Sequence, residues 1–577
     1  MTSPDYGKSI FSFQLFTGSI LRFSAKWFHL PPMLQNIHNR SYRKFNRSYR
    51  LVTTSGLLLS FLVLFLLRPG SISAADLNNN LLVRFDNGRE MDPASTLSYP
   101  DNLKDRSYFE GLWTSELFLT RVPVIERLRL GIRIQEFQPS SVDGTIYGFE
   151  KERRIDKFYA QFNLDNWEFW AGDVYETFGR GLSLNLFENR DLYFDSGLRG
   201  GKAVYKSPKL RSKLIYGQSR KWYLVDKERL GGFNLEYKPL KELSLGGNLV
   251  MQEGSGGNYE PRYLPGFYTG LDLGMASFYV EYAQSRVDTS SDANGLDPSG
   301  IFSDNTYRKG DGTFVGIDFY IGGVAAQVNY KYYNFGTDNP FQTPPTVQRE
   351  YTTHLMSAHS HLPEIVDQVG FEVNISGSPT DELFMDFNFS RSSAPDGQSL
   401  LPSLNEDFDP FWEVFLESEY YAREYLTLKL GAGWNEEAYT NFWEEKLGLS
   451  GGAVYNLNRL WSLDLGAEGM WVDDRNESEQ HEDYWLSGTL SRASWGSVNL
   501  AYEYTSLDSD EEDDNWLSTE FVVTIKRNAR LLLFAGKERG GLKCSSGVCR
   551  PVQPFEGFKL TLDTRFNLKL SGFGKER

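Results

Sequence analysis

The chain has 577 residues, with 60 Lys and Arg against 76 Asp and Glu, six His and two Cys. A mean hydropathy of −0.43 with 24% charged residues excludes a polytopic helical membrane protein. The net charge of −16 has the wrong sign for a nucleic-acid partner, and two Cys cannot staple a chain of this size.

The first 75 residues differ in kind from the rest. They carry nine Lys and Arg against one acid, Asp5, so the remainder of the chain holds −24. A basic stretch, RSYRKFNRSYR (40–50), precedes the apolar run GLLLSFLVLFLL (56–67), and RPGSISAADL follows. These are the parts of a secretory signal peptide, with a cut expected after Ala75 and Ser73 at the −3 position. The alternative is an uncleaved anchor, but the run is shorter than the roughly 20 apolar residues a spanning helix needs. The expected organisation is a leader over 1–75, one barrel over 76–566 and a short extension over 567–577.

Beyond the leader the dominant pattern is period-two alternation over roughly ten residues, in pairs. In RLRLGIRIQEF (127–137), Leu128, Leu130, Ile132 and Ile134 share one face, and Arg127, Arg129, Arg133 and Gln135 the other. The same alternation marks FVGIDFYIGG (314–323), VGFEVNIS (369–376), LTLKLGAG (426–433), LWSLDLGAEG (460–469), VNLAYEY (498–504) and GFKLTLDTRF (557–566). Strands of that length with one apolar and one polar face are what a membrane barrel requires. Short turns such as LDN (164–166), SPKL (207–210), GG (322–323) and KRNAR (526–530) alternate with long polar stretches near 88–111, 254–266, 289–311, 337–366, 393–411, 473–483 and 508–515. The predicted fold is therefore all-β. It is a single transmembrane antiparallel barrel of about 24 strands, range 22–26, with short periplasmic turns and long external loops. Aromatics near the turns, among them Tyr420, Tyr421, Tyr425, Tyr455 and Trp461, fit an interfacial girdle.

Three motifs carry resemblances. GFKLTLDTRF is similar to the C-terminal assembly signal of outer-membrane proteins, with Phe558, Leu560, Leu562 and the closing Phe566 on one face. GDVYETFGRGLSL (172–184) resembles the G-[DN]-x-Y-x-x-F-G-x-G-L stretch of an uncharacterised outer-membrane β-barrel family of Bacteroidetes. So does CSSGVCRPVQPFEGFKL (544–560), a Cys-pair loop running into the last strand. The resemblance implies location and fold rather than an activity: the bacterial outer membrane, with its lipid and lipopolysaccharide, and the barrel-assembly machinery as partner.

Strand phase gives the lumen. With the apolar set toward lipid, Arg127, Arg129, Arg133 and Lys157 turn inward early in the chain. Later, Asp272, Glu281, Asp318, Glu372, Asp386, Glu417, Glu419, Asp464, Glu468 and Glu503 turn inward. One wall is basic and the rest acidic, which predicts a porin-like channel for small hydrophilic solutes or ions with weak cation preference. The competing expectation is a plugged surface scaffold whose loops bind a partner. Residues 172–197 break the strand pattern and are either an inward loop or an external one. Cys544 and Cys549 are expected to pair in an oxidising compartment. His354, His359 and His361, with Glu364, offer a conceivable zinc set, but a polar loop is the default. The leader aside, the chain has only one more His, His481, and no nucleophile motif surrounds any Ser, so no enzyme, cofactor or metal is expected.

Overall fold

The computed structural model describes residues 74–91, 103–122, 125–138, 152–220, 228–253, 261–288, 306–336, 341–358, 361, 367–397, 399–439, 442–474, 479–507, 514–545 and 548–569. Most of the expected leader, His359, Glu364 and the last eight residues lie outside them. So do the side chains of Cys544 and Cys549.

Twenty-four of the described strands form one antiparallel sheet that closes on itself. The first strand, Ala74–Met91, pairs with Leu103–Val122 on one side. On the other it pairs with the last strand, Phe555–Lys569, in register from Asp76↔Lys569 to Glu90↔Phe555. Closure leaves no unpaired edge, so every strand can satisfy its backbone polar groups with its neighbours. That is the condition a sheet must meet in hydrocarbon. The described residues contain no helix long and apolar enough to cross a membrane; the α-helix described is the short His354–Ala358.

The alternation in the sequence becomes two faces. In Leu210–Ser219, Leu214 and Tyr216 are 56% and 53% exposed, while Lys213, Ile215, Gly217 and Ser219 between them are buried. Leu430, Leu447, Leu449, Leu486 and Leu500 carry the same exposed apolar face through later strands. Tight turns close one end: Gly322 and Gly323 take φ of 58° and 86°, which a two-residue hairpin needs and glycine adopts without strain. Exposed aromatics gather at that end, among them Trp167, Tyr320, Tyr420, Tyr421, Tyr425 and Trp495. Tyr425 and Tyr455 meet edge to face at 5.6 Å.

The strands outrun the expected boundaries. Leu103–Val122 has 20 residues, about twice a membrane crossing. The stretch near 473–483, expected as a loop, is largely ladder, with Asp474 opposite Glu479. Beyond the apolar belt both faces meet water, so the alternation fades from the sequence although pairing continues. At the other end, Asn567, Leu568 and Lys569 pair with Asn78, Leu77 and Asp76. The last strand thus passes Phe566 and takes in the start of the expected extension. The first strand begins at Ala74, before the expected cut.

Candidate functional site

Two segments between strands fold into the barrel from its long-loop end, and they identify its inner face. Residues 175–197 follow the strand Trp167–Val174. They form two small ribbons, Thr177–Phe178 against Leu184–Asn185 and Glu188–Asn189 against Phe194–Asp195. Phe178, Leu184 and Leu186 pack with Leu198, Ile215, Leu230, Val250 and Leu264 from five successive strands. A single segment can reach that many strands only from within. The glycines of the FGRG sequence make the tip: Gly179 and Gly181 take φ of 55° and 108°. A Cβ on Gly179 would lie 2.5 Å from the Glu281 carboxyl, so only glycine admits this approach. The Arg180 N–H donates to that carboxylate at 2.6 Å and Tyr279 Oη donates to it at 2.7 Å.

The basic wall meets this segment's acids. Arg133 donates through two nitrogens to Glu188, at 3.0 and 2.5 Å, and Lys157 donates to it at 2.5 Å. Burial alone would raise the Glu188 carboxyl, but the two cations hold it down to about 2. Glu176 is bound by Lys213 at 2.8 Å and Lys202 at 3.3 Å. In the other direction Arg190 reaches Glu110 and Asp191 reaches Arg84.

The second segment, described over 341–358 and at 361, had been expected among the external loops. Its apolar residues pull it inward. Phe341 joins the first segment's core, and Val347 packs with Leu182, Tyr333 and Phe335. Leu355 and Met356 pack with Phe415, Met470 and Val472. Met356 occupies a socket made by Gly433 and Gly448, where a Cβ would meet its side chain at 3.2 and 2.7 Å. Its polar groups take wall carboxylates. Arg349 donates to Asp386 at 2.7 Å and Glu417 at 2.9 Å. Tyr351 donates to Glu413, and the His354 and Leu355 N–H groups donate to Glu468, each at 2.9 Å. His354 stacks on Trp485 and its Nε2 lies 2.8 Å from Glu503. Burial works against its protonation, but Glu503, then Glu468 and Glu538, raise the imidazole above its usual value. The two segments also bind each other: Gln342 donates to the Leu182 carbonyl at 2.6 Å and Asn185 to Thr343 Oγ1 at 2.8 Å.

The residues expected along the lumen divide into two groups. Arg133, Lys157, Glu281, Asp386, Glu417, Glu468 and Glu503 hold the inward segments. The others keep to the wall: Arg129 pairs with Glu116 at 2.5 Å, and Asp318 accepts from Ser277 and Gln327. Glu372 accepts from Asn329 and Asn388, and Glu419 from Tyr421. Arg127 and Asp464 are exposed. Of the candidate zinc set, His361 lies 2.6 Å from Glu437 and stacks on Phe411, whereas His354 meets Glu503; His359 and Glu364 lie outside the described residues. The described residues contain no group of three or more potential metal ligands. Cys544 and Cys549 stand directly opposite in the ribbon Gly541–Ser545 with Val548–Val552. Arg349 and Glu188 were missed. The available signal was apolar residues in supposedly solvated stretches, Val347, Tyr351, Leu355 and Met356 beside Arg349 and Leu184, Leu186 and Phe187 beside Glu188.

A family model, DUF6029, described as a family of unknown function, matches residues 114–360 and 419–566. The chain belongs to this family. No curated protein matches it. Among solved structures, the siderophore receptor PirA from Pseudomonas aeruginosa is similar over 85% of this chain and 80% of that one, at 10% identity and a TM-score of 0.39. The P pilus usher PapC translocation pore is similar over 85% and 99%, at 10% identity and 0.42. OprD from Pseudomonas aeruginosa is similar over 88% and 97%, at 9% identity and 0.35. At these identities the likeness is one of architecture only.

Proposed function

We propose that the protein is a porin-like channel of the bacterial outer membrane, narrowed from outside by its two inward segments and passing small hydrophilic solutes. The observation that carries this reading is the two-faced wall: exposed Leu, Phe and Tyr outside, and polar and charged side chains inside a closed 24-strand sheet. A charge on the lipid face costs about 2–4 kcal/mol at the midplane, whereas a wet lumen tolerates it. Barrels of 16–18 strands already enclose an aqueous channel. In this reading Phe558, Leu560, Leu562 and Phe566 address the chain to the barrel-assembly machinery, and lipopolysaccharide surrounds the long-loop end. Weak cation preference follows from the carboxylates the inward segments leave on the wall, Asp272, Asp318, Glu419 and Asp464.

Planar-bilayer conductance of the purified mature chain across a KCl gradient tests this. Stable steps with a cation-selective reversal potential are expected, and Glu419→Lys, which touches neither inward segment, shifts that potential toward anions. Two inward segments bonded to each other also favour a second reading, a plugged scaffold. Insertion without conductance, in both the native chain and one lacking 341–358, would select the scaffold.

A further inference from the structure

Just beyond the first inward segment, toward the short turns, the inner wall carries an ordered grid. Register places Phe118 opposite Arg129, Arg129 opposite Gln161, Gln161 opposite Trp170 and Trp170 opposite Lys202, one row across five successive strands. In the next row Gly131 faces Tyr159, and a Cβ on Gly131 would lie 2.3 Å from the Tyr159 ring. Glycine there lets the ring lie flat on the wall. Tyr159 and Trp170 sit 5.4 Å apart, inclined by 34°, as neighbouring plates. Arg129 stands 5.0 Å over Phe118 and 5.4 Å over Tyr159, and Lys202 4.8 Å over Trp170. Glu116 accepts from Arg129 and Tyr159, and Glu168 accepts from the Trp170 indole at 2.5 Å. These bonds fix the ring orientations. The row nearer the turns adds Arg127 opposite Asn163. The side chains of Arg127, Gln161 and Asn163 have no partner among the described residues.

We infer that this grid is a binding strip for an acidic saccharide in transit. The inference rests on the channel reading and names its substrate class. The half-buried rings and the cations over them present a sugar with apolar ring surface beside fixed positive charge. Unpaired amides suit hydroxyl groups, and an unpaired guanidinium suits a carboxylate. The alternative explanation, that the grid only braces the wall, accounts for the paired members but not for the three unpaired ones aligned beside the plates.

The test is titration calorimetry of the folded full chain in detergent, with tetragalacturonate as the acidic probe and maltotetraose as the neutral one. The acidic probe is expected to bind more tightly. Trp170→Ala weakens both probes about tenfold, the equivalent of about 1.4 kcal/mol. Arg127→Gln breaks no described contact, so its folding is secure. It weakens the acidic probe about tenfold and leaves the neutral one unchanged. Absence of binding by either probe, or equal binding by the native chain and R127Q, would overturn the strip. Equal affinity for both probes would overturn its acidic specificity. A strip that binds in a protein that does not conduct would separate failure of the channel reading from failure of this one.

Discussion

The two inward segments occupy the same bore, and each is held by buried apolar anchors and by charged tethers, but the tethers differ in chemistry. In residues 175–197, Phe178, Leu182 and Leu184 have no exposed surface; Phe178 and Leu184 pack on the first strands that follow in the chain and Leu182 on later ones, while Arg133, Lys157 and Lys213 hold Glu188 and Glu176. Residues 341–358 bury Leu355 and Met356 and take tethers from Asp386, in the strand Leu383–Ser393, round to Glu503, the last of them through His354. Burial is insensitive to salt and pH, whereas charged tethers respond to both. Arg, Lys and carboxylates keep their charge across neutral pH whereas an imidazole does not, so the second segment is the part of the constriction that neutral pH can move.

The largest expected effect tests the buried half of that contrast. Phe178→Ala removes a fully buried ring that packs on Gly232, where a Cβ would lie 2.9 Å from it. Such a truncation costs about 3–5 kcal/mol. The denaturant midpoint, followed by heat-dependent mobility on SDS gels, should fall accordingly. An unchanged midpoint would mean that the segment contributes nothing to the barrel. The next effect tests the tethered half. Arg349→Gln leaves Asp386 with Asn374 and Glu417 with Thr352, a loss of about 2 kcal/mol. Hydrogen exchange should rise across 341–358 and stay constant across 175–197. A parallel rise in both would show that the two segments move as one.

The contrast also explains what the sequence disclosed. Strand phase was legible because lipid and water impose opposite chemistries on alternate residues. It placed Arg133 and Glu417 on one face long before any partner was known. Pairing across the bore was not legible. Nothing local in TTHLMSA announces that His354 meets Glu503, 149 positions away, and the register that brings them together is set by every intervening hairpin. Residues 172–197 stood out because they broke the period, but their direction depended on Glu281 and on apolar wall positions such as Ile215, Leu230 and Val250 in a lumen otherwise expected to be polar. Strand ends were misjudged for the complementary reason: at Asp474 and Glu479 no lipid remains to enforce alternation.

The smallest expected effect separates the segments by pH. Burial works against protonation of His354, but Glu503, then Glu468 and Glu538, raise its pKa above the ordinary imidazole value, while Arg539 lies 3.5 Å from Glu503. A cation whose folded pKa is raised stabilises the docked form fully below its ordinary value, about 6.5. That contribution is lost as pH rises through the folded value. Glu188 works in the opposite sense: held at about 2, it contributes above its ordinary carboxylate range and loses that contribution only as pH falls toward 2. Between pH 5 and 8, rate-corrected exchange should therefore increase across 351–358 while 175–197 stays flat, and His354→Gln should remove the pH dependence from the second segment alone. If the slope survives in H354Q, the imidazole is not its source and the pH contrast between the two segments fails at this residue.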